Sequence, residues 1–98
     1  MPDPAHRIRL REPWTADGLL LYRRFGKPSN LHAGQTVWLV LPDVAVQRVA
    51  INETELPAGV REWDVTAVLD ERNQVEVTLT AEDQRAALTA GAALEIRG

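Results

Sequence analysis

A chain of 98 residues fits one domain, 1–98, and its 11 lysines and arginines against 14 aspartates and glutamates leave it slightly acidic. A net charge of −3 disfavours a general nucleic-acid or anionic-membrane surface, and the absence of cysteine excludes a disulfide framework and every thiolate metal site. No stretch approaches the ~20 apolar residues of a membrane span. Met1-Pro2-Asp3-Pro4-Ala5-His6 has no basic start followed by an apolar run, so the default reading is a cytoplasmic protein without a secretory signal.

Alternation is the recurring pattern along the chain. Arg7-Ile8-Arg9-Leu10-Arg11 puts Ile8 and Leu10 on one face and three arginines on the other, which predicts a half-buried strand. Residues 19–25 form a second extended run, rich in apolar and aromatic side chains. Lys27-Pro28-Ser29-Asn30 and Ala33-Gly34 mark a loop. Residues 36–41 are apolar on both faces, as in a strand covered on both sides, and Pro42-Asp43 stops it. Residues 46–51 alternate again with Val49 and Ile51 inward, Asn52-Glu53-Thr54-Glu55 is a polar turn, and Pro57-Ala58-Gly59 is a further break.

Residues 60–65 form a short strand with Trp63 and Val65 on one side, and 66–72 read as one helical turn capped by Asp64 or Thr66. Residues 74–79 carry the cleanest alternation in the chain. Thr80 as a capping residue, good helix formers and a terminal Gly91 predict a short helix over 81–90, with Leu88 as its large apolar anchor. Residues 94–97 close the pattern. Seven short strands at this spacing point to a sandwich or barrel. The expected core is Ile8, Leu10, Leu21, Val37, Leu39, Leu41, Val49, Ile51, Trp63, Val65, Leu69, Val75, Val77, Leu79, Leu94 and Ile96.

Five pieces in order carry a resemblance. They are Tyr22-Arg23-Arg24-Phe25; Val37-Trp38-Leu39-Val40-Leu41 with Val44; Val49-Ala50-Ile51-Asn52; Trp63-Asp64-Val65-Thr66 with Leu69 and Asn73; and Val75, Val77 and Leu79. Together they resemble the galactose-binding-like jelly roll, in particular the sugar-binding domain at the front of β-galactosidase- and β-glucuronidase-type glycoside hydrolases. The resemblance covers 22–79 and implies an all-β jelly-roll β-sandwich of seven to eight antiparallel strands with one short helix. Two departures stand out. Asn52-Glu53 replaces the family's Asn-Gly, which predicts a different turn type because glycine's free φ is lost. The family's long glycine-rich loop is cut to 55–59, which removes surface that helps shape ligand contacts there. The catalytic carboxylates of those enzymes sit on a separate barrel domain, so the resemblance implies a fold and a module type, not glycosidase activity.

Four residues form the expected ligand-binding set: Trp14, Arg24, Trp38 and Asn52. Trp14 follows Pro13 at a strand end, the most accessible position of the three tryptophans, though packing over an open barrel end is the more common role for such a residue. Arg24 presents a planar donor fork to hydroxyls or carboxylates. Trp38 points opposite to Val37, Leu39 and Leu41 and either covers the second sheet face or is exposed for binding. Asn52 shapes its own turn in a left-handed conformation. Trp63 reads as core.

The Arg7, Arg9 and Arg11 stripe reads as a solvated face paired across to Glu76 or Glu95, with an anion-binding role as the sharper alternative. No Asp-x-Asp-x-Asp run occurs, so no metal or cofactor is assigned. His6 lies near the terminus, His32 and the lone Ser29 in a loop, and no nucleophile elbow, zinc motif or phosphate loop is present; the reading is non-enzymatic. Two functions follow. One is a carbohydrate-binding-like module in which Trp14 and Arg24 meet a saccharide. The other is a structural or protein-interaction module that docks an apolar sheet face around Trp38 on a protein partner or on itself as a weak homodimer.

Overall fold

The computed structural model describes residues 6–11, 13–29 and 31–98. Residues 1–5, on which the expectation about a secretory signal falls, and Asn30 of the predicted loop lie outside these. Nine strands, numbered in chain order, make up two sheets among the described residues. The four-stranded sheet has the order β1 (His6–Arg9), β9 (Ala93–Arg97), β4 (Thr36–Val40), β7 (Glu62–Asp64). The five-stranded sheet has the order β2 (Thr15–Asp17), β3 (Leu20–Gly26), β8 (Arg72–Leu79), β5 (Val46–Ile51), β6 (Thr54–Glu55). Every neighbouring pair is antiparallel.

Apart from the β2–β3 and β5–β6 hairpins, each connection carries the chain from one sheet to the other. With β2 set aside, the result is the two-sheet jelly roll of eight strands that the resemblance implies. The count of nine exceeds seven to eight because β2 and β6, of 3 and 2 residues, are too short for alternation to show. His6, expected near a loose terminus, is a β1 residue opposite Ile96.

The period of two places the core. On β8, Asn73, Val75, Val77 and Leu79 turn inward while Arg72, Gln74, Glu76 and Thr78 face out. Leu21 lies opposite Val77 in one sheet and Leu39 opposite Leu94 in the other, each at most 1% exposed. Full burial of such a side chain contributes roughly 1.5–3 kcal/mol. Trp63 and Leu69 join the core as expected. Ile8 and Ile96 are only half-buried, because both lie in the β1–β9 pair at the open edge of the sheet, Ile8 opposite Leu94 and Ile96 opposite His6.

Two short helical pieces complete the fold. Asp64 Oδ1 accepts the Thr66 backbone N–H at 3.0 Å and the Thr66 hydroxyl at 2.7 Å, which sets the 3₁₀ turn Thr66–Val68. The helix expected over 81–90 splits into a 3₁₀ turn, Glu82–Gln84, and α1, Arg85–Gly91. Thr80 does not cap it; its N–H and hydroxyl both reach the Ala45 carbonyl, at 3.3 and 3.4 Å. Leu88, fully buried, anchors α1 to the core. Gly91 stays helical, and its role is clearance: a Cβ there would stand 2.7 Å from Pro42 Cβ. No helix of the described residues is long and apolar enough to cross a membrane.

Candidate binding site

The outer face of the five-stranded sheet is polar with an aromatic residue in it. Antiparallel register sets Tyr22 opposite Glu76, Arg24 opposite Gln74 and Gly26 opposite Arg72, all on this face. Where the end of the β3–β8 pair meets the β5–β6 turn, the surface sinks into a hollow of about 640 Å³. Arg24, Phe25, Gly26, Asn52, Glu71, Arg72, Asn73 and Gln74 line it. Two of the four expected binding residues, Arg24 and Asn52, therefore meet at one place. A second hollow of about 330 Å³ shares Asn52 and Gln74 and adds Glu53, Asp70 and Glu76. The joint surface runs from a basic end to an acidic one. Among the described residues, no three or more histidines, aspartates or glutamates gather as a metal-holding group.

Asn52 belongs to the wall of the site, not to its ligand-reading groups. Its Nδ2 donates to Val68 O at 3.0 Å and to Asn73 Oδ1 at 2.8 Å, and its Oδ1 accepts the Gln74 N–H at 2.9 Å. Asn73, 3% exposed, accepts the Asp70 N–H at 2.7 Å and donates to Asp70 O at 2.8 Å. Both donors of Asn52 are thus spent on the protein, which corrects its expected ligand role. The network ties the β5–β6 turn to the entry of β8 and holds the floor of the hollow. The turn itself departs from expectation as well. Asn52 has φ 51° and Glu53 has φ 69°, the two positive values of a type I′ hairpin turn, so the turn geometry survives the loss of glycine.

The tryptophans divide differently from the expected pattern. Trp14 is buried at 9% exposure and its Nε1 donates to Leu10 O at 2.8 Å. The chain between β1 and β2 folds the indole onto the core, so Trp14 is not the accessible platform the sequence suggests. Trp63 is core, and its Nε1 donates to Pro57 O at 2.8 Å. Trp38 is half-buried on the outer face of the four-stranded sheet, with the Arg97 guanidinium 4.4 Å from its ring centre. Its Nε1 donates to Thr36 Oγ1 at 3.0 Å. Trp38 is not among the exposed large hydrophobics; Val60 is the one such residue among the described residues.

The basic stripe is partly neutralised. Arg7 binds Glu95 through Nε, at 3.0 Å, and through Nη2. Arg97 donates to Glu95 Oε1 at 2.8 Å and to Glu62 Oε1 at 2.9 Å. These two guanidiniums hold the Glu95 carboxyl below its ordinary pKa. Glu76 pairs instead with Arg48 across the other sheet, at 3.8 Å. Arg23 and Arg24 point opposite ways, as alternation requires: Arg23 Nε donates to Arg11 O at 2.6 Å, while Arg24 faces the hollow.

Arg72, Gln74, Glu71 and Tyr22 escape a sequence reading of the site. Arg72 and Gln74 carry the outward signal of the alternating 74–79 run and its start, but only the β3–β8 register shows that they meet Arg24. Tyr22 sits two residues from Arg24 on the same face, about 7 Å along the strand. Comparison with protein-family models, with curated proteins and with solved structures finds no match for the chain.

Proposed function

We propose that this chain is a non-catalytic binding module that takes a saccharide in the hollow between β3, β8 and the β5–β6 turn. The carrying observation is that Arg24 and Arg72 line a concave polar surface and that neither guanidinium makes an ion pair or hydrogen bond with any described residue. Gln74 and Glu71 stand beside them, and half-buried Tyr22 lies on the same sheet face. A few convergent polar groups beside an amphipathic ring suit a polyhydroxyl ligand. The resemblance of 22–79 to a sugar-binding domain supports the same reading.

The test is a chemical-shift titration of the isotope-labelled chain with a panel of mono- and oligosaccharides, with a dilution series as control. Shifts at Tyr22, Arg24, Gly26, Arg72 and Gln74 support the module. Silence across the panel sinks it. One observation favours the second reading, a protein-docking or self-associating module: Val60 is 52% exposed beside a hollow of about 350 Å³ that Leu56, Pro57 and Trp63 help line. Dilution-dependent shifts around Val60, with no response to saccharides, would select that reading.

A further inference from the structure

We infer that Arg24 and Arg72 form a clamp for a multi-oxygen anion, so that the saccharide this module takes is an acidic one, carrying a carboxylate or sulfate. The inference rests on the saccharide reading for the ligand's class, and on the following geometry for the clamp.

Arg24 and Arg72 are diagonal neighbours on the outer sheet face, since Arg24 pairs with Gln74 and Gly26 with Arg72. Diagonal positions across an antiparallel pair lie roughly 7–8 Å apart, within joint reach of two long side chains converging on one anion. Gly26, two residues from Arg24 on β3 and opposite Arg72, adds no side chain; even a Cβ there would touch only the Glu71 carbonyl, at 3.8 Å. Position 26 therefore puts no side chain beside the two arginines.

Six of the other eight arginines have partners, and the remaining two, Arg9 and Arg11, do not line the hollow. Arg7, Arg48, Arg61 and Arg97 each hold a carboxylate. Arg23 and Arg85 donate to backbone carbonyls. Arg24 and Arg72 have no such partner among the described residues, although Glu71 lines the same hollow. Two like charges held side by side in a concavity, neither paired with a carboxylate, attract an anion, and the planar donor fork of arginine fits carboxylate and sulfate oxygens two at a time. Glu71 and Gln74 remain at the rim to bond the hydroxyls of the sugar ring. The anion site thus lies on the face opposite to the Arg7, Arg9 and Arg11 stripe, where Arg7 is already neutralised by Glu95.

The experiment follows Gly26 and Gln74 amide shifts while titrating sodium sulfate, an oligouronate, and the same oligosaccharide with its carboxyls reduced to alcohols. The expected result is an oligouronate affinity about tenfold above that of the neutral analogue, falling as salt rises. In Arg24→Gln/Arg72→Gln that ratio drops to about one. In Arg24→Lys/Arg72→Lys, which keeps the charge and loses the fork, it is intermediate. Both side chains face solvent, and a dispersed amide spectrum checks that each variant is folded.

Equal affinity for the acidic and neutral oligosaccharides, unchanged by Arg24→Gln/Arg72→Gln, overturns the clamp and leaves the saccharide module standing. Sulfate shifts at Gly26 and Gln74 that vanish in the same variant, with no saccharide binding more tightly than sulfate, uphold the clamp and overturn the saccharide reading. No response to sulfate or oligouronate overturns the clamp.

Discussion

Asn52 and Glu53 reverse the chain in two residues, and both do so with positive φ, 51° and 69°. Asparagine tolerates that region because its short side chain bonds locally, and here it bonds Val68, Asn73 and Gln74. Glutamate has no such compensation; Glu53 is exposed and its Cβ crowds its own backbone. Glu53→Gly is therefore expected to stabilise the chain by about 1 kcal/mol, read as a higher urea midpoint. Asn73→Ala works in the opposite direction. It strips partners from the Asp70 N–H, the Asp70 carbonyl and Asn52 Nδ2. A loss of about 2 kcal/mol is expected, with an unchanged m value in urea, because the fold persists while buried polar groups go unpaired. The left-handed Asn52 was legible in sequence because asparagine's preference is local. The positive φ of Glu53 was not, since propensity at that position argues for glycine and the hairpin register overrides it.

At the scale of elements, close approach and charge decide what propensity cannot. α1 reaches the core through Leu88, and Gly91 lets its last turn lie against Pro42. A methyl at 91 would press on a ring that cannot rotate away, with contacts of 2.7 and 2.9 Å. Gly91→Ala should cost roughly 1–3 kcal/mol, seen as a lower Tm, despite alanine's better helix propensity. A left-handed cap at Gly91 would instead show the same sign without any gain on Pro42→Gly; the clash predicts that Pro42→Gly, which removes the Cβ in contact, relieves part of the loss in the double variant.

The four-stranded sheet makes a charge-based prediction. Arg7 and Arg97 hold the Glu95 carboxyl below its ordinary value of 4.5. The contribution to stability is complete above that value. It is lost as pH falls below it, because the unfolded chain then takes up the proton before the folded one does. Urea midpoints from about pH 6 down to pH 3 should fall more steeply for the native chain than for Glu95→Gln. Strands of four or more residues were legible, β1, β5 and above all β8 from alternation, β3 and β4 from their apolar content. The burial of Trp14 was not, since an irregular segment has no period to read, and the site was half legible: Arg24 announces a donor fork, but Arg72 joins it only through pairing across the sheet.

For the whole molecule, the strand order carries the consequence. β9 is the last element in the chain, yet it lies between β1 and β4, near the middle of its sheet. It contributes Leu94 at 1% exposure and pairs along its length with both neighbours. Alternation cannot reveal such an arrangement, because each strand's pattern says which face is buried and nothing about which strand lies beside it. Loss of β9 removes a core leucine worth about 2–5 kcal/mol and, at about 1 kcal/mol per bond, two ladders of hydrogen bonds. That sum reaches the 5–15 kcal/mol within which a domain is stable at all. A chain ending at residue 91 is therefore expected to be unfolded, with a collapsed amide spectrum, and a peptide of residues 92–98 added in trans should restore dispersion. Removal of residues 1–9 takes an edge strand whose side chains are exposed apart from half-buried Ile8. That variant should stay folded with a lower urea midpoint. Because the β1–β9 pairing joins opposite ends of the chain, refolding of the intact protein should take milliseconds to seconds, as measured by stopped-flow tryptophan fluorescence. A folded chain ending at residue 91, or refolding complete within microseconds, would show that the sandwich closes without its last strand.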